Sequence, residues 1–116
     1  MTEGERKQRT GRRGERKAAR YLFFRGWKIL ERNFRTPYGE IDIIAKRRGV
    51  LAFIEVKTRT TDKFGTPAEA VDERRKRRYI LGANYFLTNK IVDMTVRFDI
   101  IEVYRGKINH IENAFY

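Results

Sequence analysis

A chain of 116 residues has room for one domain with its own core, without metal or disulfide staples. Its 27 Lys+Arg against 15 Asp+Glu leave a net charge of +12, which points to a polyanionic partner, nucleic acid or an acidic membrane surface, with an indifferent basic surface as the plainer alternative. Cys and Ser are both absent and His occurs once, so disulfide frameworks, thiolate zinc sites and Cys or Ser nucleophiles are excluded, and the chemistry left belongs to carboxylates, Lys, Arg, Tyr or a metal.

The lack of Cys suits a reducing cytoplasm. No apolar run approaches the roughly 18 residues of a membrane span, and the basic N-terminus is not followed by the apolar stretch of a secretory signal. Hydrophobic content of 41%, with Trp 1, Tyr 6 and Phe 8, argues for a folded chain.

Residues 1–10 are polar and without periodicity, and read as a flexible basic N-terminal arm. Residues 11–116 read as a single domain. From Gly11 to Arg25, Ala18, Ala19, Leu22 and Phe23 recur at helical spacing, with Thr10 as the expected cap and Gly26 as the stop. Glu15 lies on the inward stripe of that helix, where it either pairs with a nearby Lys or Arg or meets whatever the helix covers. Trp27 to Phe34 alternates as a strand, with Trp27 and Ile29 on one side and Leu30 on the other, and residues 35–39 form a turn.

The stretch GEIDIIAKRRGVLAFIEVKTR, Gly39 to Arg59, reads as an antiparallel hairpin. An even loop at Arg48-Gly49 or Arg47–Val50 pairs Ile41 with Val56, Ile43 with Ile54 and Ala45 with Ala52 on one face. The other face pairs Ile44 with Phe53, Asp42 with Glu55 and Glu40 with Lys57. An odd loop would set Asp42 beside Ile54 and scramble both faces, because a one-residue slip exchanges strand faces. Opposed like charges are destabilising, so Asp42 and Glu55 call for positive charge between them. Lys57 supplies part, and a divalent cation held by carboxylate oxygens would supply the rest; the alternative is a solvated charged face.

Thr60 to Thr66 reads as a loop, Pro67 as the start of a short helical piece, and Asp72 as the cap of a helix over Glu73–Leu87. Arg74 to Arg78 are all basic, as for a surface that tracks phosphates. Thr95 to Tyr104 reads as a strand and Ile108 to Ile111 as a last edge strand. Asp99 is either structural or a further acid near the site, and His110 reads as a surface or packing residue rather than a ligand.

The order α-β-β-β-α-β-β describes an α/β fold: a central mixed sheet of about five strands flanked by helices. Asp42, then Glu55 with Lys57 two residues later, form the pattern D…E-x-K. With Gly14-Glu15, Ala18 and Tyr21-Leu22 before it, Gly39-Glu40-Ile41-Asp42 and Phe53 to Arg59 around it, and Arg97-Phe98-Asp99 and Ile111 to Phe115 after it, the chain resembles the YraN family (UPF0102). More broadly it is similar to the PD-(D/E)XK nuclease superfamily, although Ile41 stands where that superfamily often has Pro.

That resemblance implies a restriction-endonuclease-like fold and a site of four residues, Asp42, Glu55, Lys57 and Glu15. Asp42, Glu55, Glu15 and the backbone carbonyl of Val56 would hold Mg²⁺ or Mn²⁺, and Lys57 would orient the attacking water or stabilise phosphate charge. Glu15 matches the first-helix acid of many such nucleases, archaeal Holliday-junction resolvases among them. Candidate nucleic-acid contacts are Arg12, Arg16, Arg59, Arg74, Arg75, Lys76 and Arg78. The expected function is metal-dependent hydrolysis of DNA, rather than RNA, with branched or structured DNA as a candidate substrate. For a junction a two-fold homodimer would be natural. The alternative is a non-catalytic nucleic-acid-binding protein that keeps the fold; membrane association is not expected, since no basic amphipathic helix with a bulky exposed apolar face is evident.

Overall fold

The computed structural model describes residues 2–59 and 73–115, side chains at 6–10 excepted. Its elements follow the order α1 (Glu3–Phe24), β1 (Lys28–Thr36), β2 (Gly39–Arg47), β3 (Val50–Arg59), α2 (Glu73–Leu87), β4 (Thr95–Tyr104) and β5 (Lys107–Ile111). The expected loop at 60–66, the helical piece after Pro67 and the Asp72 cap lie outside the described residues.

Five strands form one mixed sheet in the order β1-β2-β3-β4-β5. All neighbours are antiparallel except β3 and β4, which run parallel and are connected through α2. This is an α/β architecture with helices against both faces of the sheet, consistent with the restriction-endonuclease-like fold. No helix among the described residues is long and apolar enough to cross a membrane.

Helix α1 starts two turns earlier than its apolar stripe suggests. Thr2, not Thr10, is the N-cap, and its hydroxyl accepts the Glu5 amide at 3.1 Å. The polar residues 3–10 carry no apolar period in the sequence, but charge and capping still permit helix there. At the other end the Gly26 and Trp27 amides return to Phe23 O and Leu22 O, with Gly26 left-handed at φ 86°.

Ala18, Leu22 and Trp27 pack on Ile43, Ala45, Ala52, Ile54, Ile101 and Val103 on one face of the sheet. On the other face, Tyr79, Ala83 and Phe86 of α2 cover Ile44, Phe53, Phe98 and Ile100. Phe98 stacks between Phe53 and Phe115, at centroid distances of 5.7 and 5.5 Å. β3 is buried from Leu51 to Glu55, as expected of a central strand covered on both sides.

The hairpin has the even register, with Ile43↔Ile54, Ile44↔Phe53 and Ala45↔Ala52. Its turn is Arg48-Gly49, both left-handed at φ 46° and 77°, the pairing a two-residue turn of matching twist requires. The ladder ends at Ile43↔Ile54, so the expected pairs Asp42–Glu55, Ile41–Val56 and Glu40–Lys57 do not form.

The reason lies one strand away. Asn33 of β1 is left-handed at φ 53°, and the β1–β2 register passes from Arg32↔Ile43 to Phe34↔Ile41, leaving Asn33 and Asp42 out of the ladder. Ile41 therefore joins Phe34 beneath α2 instead of facing α1 with Ile43, as strict alternation predicts. Gly82 of α2 sits directly above: a Cβ there would lie 3.1 Å from Ile41 Cδ1.

Candidate active site

The break in both ladders opens a cleft of about 360 Å³ lined by Glu15, Glu40, Asp42, Glu55, Arg75, Arg78 and Tyr79, among others. Each side chain reaches it by a different route. Glu15 is delivered by α1, which comes so close to β3 that a Cβ on Gly14 would collide with the Thr58 hydroxyl. Glu40 and Asp42 come from the irregular end of β2, Glu55 from β3, and Arg75, Arg78 and Tyr79 from the first turns of α2.

Carboxylate oxygens of Glu15, Glu40 and Asp42 lie within 4.8 Å of one another. With its nitrogen turned inward, the Asn33 amide donates to Glu40 Oε1 at 2.9 Å and Glu15 Oε2 at 2.8 Å, tying α1 to β2. The Val56 amide donates to Asp42 Oδ2 at 2.8 Å. Glu55 is buried, and its Oε1 is ion-paired with Arg75 at 3.1 Å and with Lys57 Nζ at 3.6 Å. Its Oε2 has no hydrogen-bond partner.

Such crowding moves proton affinities. Burial, and then the charges of Glu15, Glu55 and Glu40, push Asp42 from an ordinary 3.8 up to about 7, against the opposing Val56 hydrogen bond. Burial and the Glu40 charge also raise Glu15, although Arg32, Asn33 and Arg12 pull it back. Tyr79 is raised well above its usual value by burial and by the Asp42 and Glu55 charges. It therefore stays a protonated hydroxyl facing the acids. Hard oxygen donors at this density suit a divalent cation of the Mg²⁺ or Mn²⁺ kind.

The expected residues separate into groups. Glu15, Asp42 and Glu55 share the cleft, whereas Lys57 does not line it and is connected to it through its ion pair with Glu55. Glu40, expected to face Lys57, instead stands with Glu15 and Asp42. Among the expected nucleic-acid contacts, Arg12 and Arg16 border Glu15, and Arg78 lines the cleft. Arg59 is engaged with Glu102 at 3.1 Å, Arg75 with Glu55, and Lys76 with Glu73 at 3.2 Å, while Arg74 is exposed. The Val56 backbone donates to Asp42, and the residue lines the cleft.

Asp99 is structural and does not line that cleft. Fully buried on the α1 side, it accepts Arg97 at 2.8 and 2.9 Å, the Asn113 amide at 3.0 Å, and lies 2.7 Å from His110 Nε2. Burial alone would raise its carboxyl, but the bonds from His110, Arg97 and Asn113 outweigh it and hold the pKa below 3.8. His110 also contacts Tyr21 through Nδ1, at 3.3 Å, so it is a packing residue in a satisfied network.

Asn33 and Tyr79 were not legible as site residues. Asn in a strand pattern is a signal for left-handed backbone, but Tyr79 has the spacing of a plain core residue of α2.

The sequence model of the "Uncharacterised protein family UPF0102" matches residues 14–103, which include every acid of the cleft. A UPF0102 protein of Thermodesulfovibrio yellowstonii is 47% identical over 106 residues, covering 91% of this chain and 95% of that protein. A UPF0102 protein of Clostridioides difficile is 47% identical over 105 residues (88% and 92% covered), and one of Persephonella marina 43% over 106 residues (90% and 91%). With a family model over residues 14–103 and a relative 47% identical over a stretch covering 91% of this chain, the chain belongs to the UPF0102 family.

Proposed function

We propose that the chain is a metal-dependent nuclease of the PD-(D/E)XK type that hydrolyses DNA phosphodiester bonds. The observation that carries this reading is the gathering of Glu15, Glu40 and Asp42 within 4.8 Å, with Asp42 raised to about 7, beside a buried Glu55 oxygen that has no partner. Such a set is short of positive charge and offers only hard oxygen ligands, and the residues fit a divalent ion. Asp42, Glu55 and Glu15 would hold it, joined by Glu40 and the Val56 carbonyl. The ion would supply Lewis acidity toward a phosphate and offset the charge of the acids.

The chain's own groups have separate tasks. Arg78 and Arg75 draw the phosphate into the cleft from the α2 side. Lys57, half withdrawn against Glu55, is within reach to share charge with a phosphate oxygen or to orient a water. Tyr79, held protonated and hydrogen-bonded to the Asp42 backbone, braces β2 at the floor of the cleft. Gly14 and Asn33 fix Glu15 in place.

The test is cleavage of linear, single-stranded and four-way DNA by the purified protein with Mn²⁺ or Mg²⁺ and with chelator. Asp42→Asn and Lys57→Ala are expected to abolish cleavage and leave binding within a few-fold. A second reading is favoured by one observation: Glu55 already has two cationic partners. A site so closed on itself would suit a non-catalytic nucleic-acid-binding protein, and salt-sensitive binding without cleavage of any substrate would select it.

A further inference from the structure

The C-terminal end of α1 carries two exposed rings. Phe23 and Phe24 are 68% and 76% exposed and meet edge to face, with centroids 5.6 Å apart. Single exposed apolar residues are ordinary, but adjacent aromatic rings on one groove mark a surface with something to cover it. This groove runs between α1 and the edge strand β1 and is bordered by Arg16, Arg20, Lys28 and Arg32, with no acid among the described residues that line it.

The groove does not end there. Arg16 and Arg32 also border the depression that holds Glu15 and Asn33. Glu15 and Asn33 pass into a further one with Glu40, and Glu15 and Glu40 line the acidic cleft. Neighbouring depressions thus share residues in sequence from the rings to the carboxylates. Along the helix axis Phe23 stands about 12 Å from Glu15 at ~1.5 Å per residue. That is room for roughly three or four nucleotides if the strand keeps the ~3.4 Å stacked rise of a duplex, and fewer if it is extended.

We infer that this groove holds an unpaired stretch of nucleic acid beside the cleaved bond, its bases stacked on Phe23 and Phe24 and its phosphates following Arg16 and Arg32 toward Glu15. Charge complementarity narrows the occupant to a polyanion, and the run of shared lining residues from the rings to Glu15 and Glu40 favours a strand over a flat anionic membrane surface. An apolar peptide would leave the basic rim unmatched, and a second copy of the chain in a two-fold contact would set that rim against itself. Within a duplex the base faces are stacked on one another; only an unpaired strand offers both base faces and phosphates. The link to cleavage rests on the nuclease reading, whereas the binding does not.

Fluorescence anisotropy of the full chain in chelator, with a labelled single strand and a blunt duplex, tests the inference. Phe23→Ala/Phe24→Ala should weaken single-strand binding about ten- to a hundredfold and duplex binding less than about twofold. Phe23→Tyr/Phe24→Tyr should restore it, and an unchanged melting curve shows that the alanine variant is folded. Unchanged single-strand affinity, or equal loss on both ligands, overturns the inference. A dimer in sedimentation that the alanine variant dissolves does so too, since the rings would then belong to a self-interface. Cleavage with Mn²⁺ is scored apart: its absence alongside the expected binding pattern sinks the nuclease reading and leaves the platform standing.

Discussion

Asp42 Oδ2 accepts the Val56 amide at 2.8 Å at the point where the β2–β3 ladder has ended, so a carboxylate does the work of a backbone carbonyl. Strand geometry and the charge state of Asp42 are therefore linked. With Asp42 raised from 3.8 to about 7, the metal-free folded chain retains a proton that the unfolded chain has released. The stability this provides is complete below about pH 3.8 and lost as pH rises through about 7. We predict that Asp42→Asn, which keeps the acceptor for Val56, is more stable than wild type at pH 8 in chelator by about 1–2 kcal/mol, or about 5–10 °C in Tm. Melting curves at pH 5 and pH 8 check this; identical curves for both proteins at pH 8 would show that Asp42 carries no such burden.

Divalent cations should act in the opposite direction. If the acids hold Mg²⁺ or Mn²⁺, adding the ion at pH 8 raises Tm, and the stability gained is about 2.7 kcal/mol at a hundredfold excess over Kd. The gain should shrink at pH 5, where the carboxylates must first lose protons, and Asp42→Asn should abolish it. Calorimetric titration is the direct measurement, and a Tm indifferent to metal and chelator alike would count against an ion in this cleft.

At Asp99 the sign of the pH effect is reversed. Its carboxyl is held below 3.8, so its contribution is present above that value and is lost as pH falls through the lowered folded pKa. Asp99→Ala strands Arg97 and His110 around a buried gap, and about 3–5 kcal/mol of stability should go with it. Urea denaturation reads that loss. Metal affinity, measured on the same variant under folding conditions, should be unchanged, because Asp99 does not line the cleft.

Gly14 offers a prediction about placement. Gly14→Ala forces α1 away from Thr58 and with it moves Glu15 from Asp42 and Glu40. We expect lower stability, by about 1–3 kcal/mol, and weaker metal binding. Thr58→Ala should recover much of both in the double variant. Additive losses in the two single changes would mean that the contact does not set the position of Glu15.

Much of the fold was legible because its signals were local. The hairpin register followed from the apolar alternation of Ile43, Ala45, Ala52 and Ile54, and α2 came out at its observed bounds because charge gives way to apolar period at Tyr79. The placement of Ile41 and Glu40 was not legible, since it depends on one left-handed residue, Asn33, in a neighbouring strand. Glu15 was recognised as inward but could be joined to Asp42 only by the approach of α1 at Gly14, a fact of packing rather than of pattern. Arg59 and Arg75 looked like surface cations because composition records charge and is silent on Glu102 and Glu55 beneath them.

The parallel pairing of β3 with β4 has a kinetic corollary. β1, β2 and β3 follow one another through tight turns, whereas β4 reaches β3 only after the chain has run from 60 to 94. Closing the longer excursion costs more entropy before any contact repays it, so the meander should zip up ahead of the crossover. The acids on β2 and β3 would then meet before Arg75 arrives to neutralise Glu55. In pulsed hydrogen exchange during refolding, amides of β2 and β3 should gain protection earlier than those of β4; simultaneous protection would refute that sequence of events.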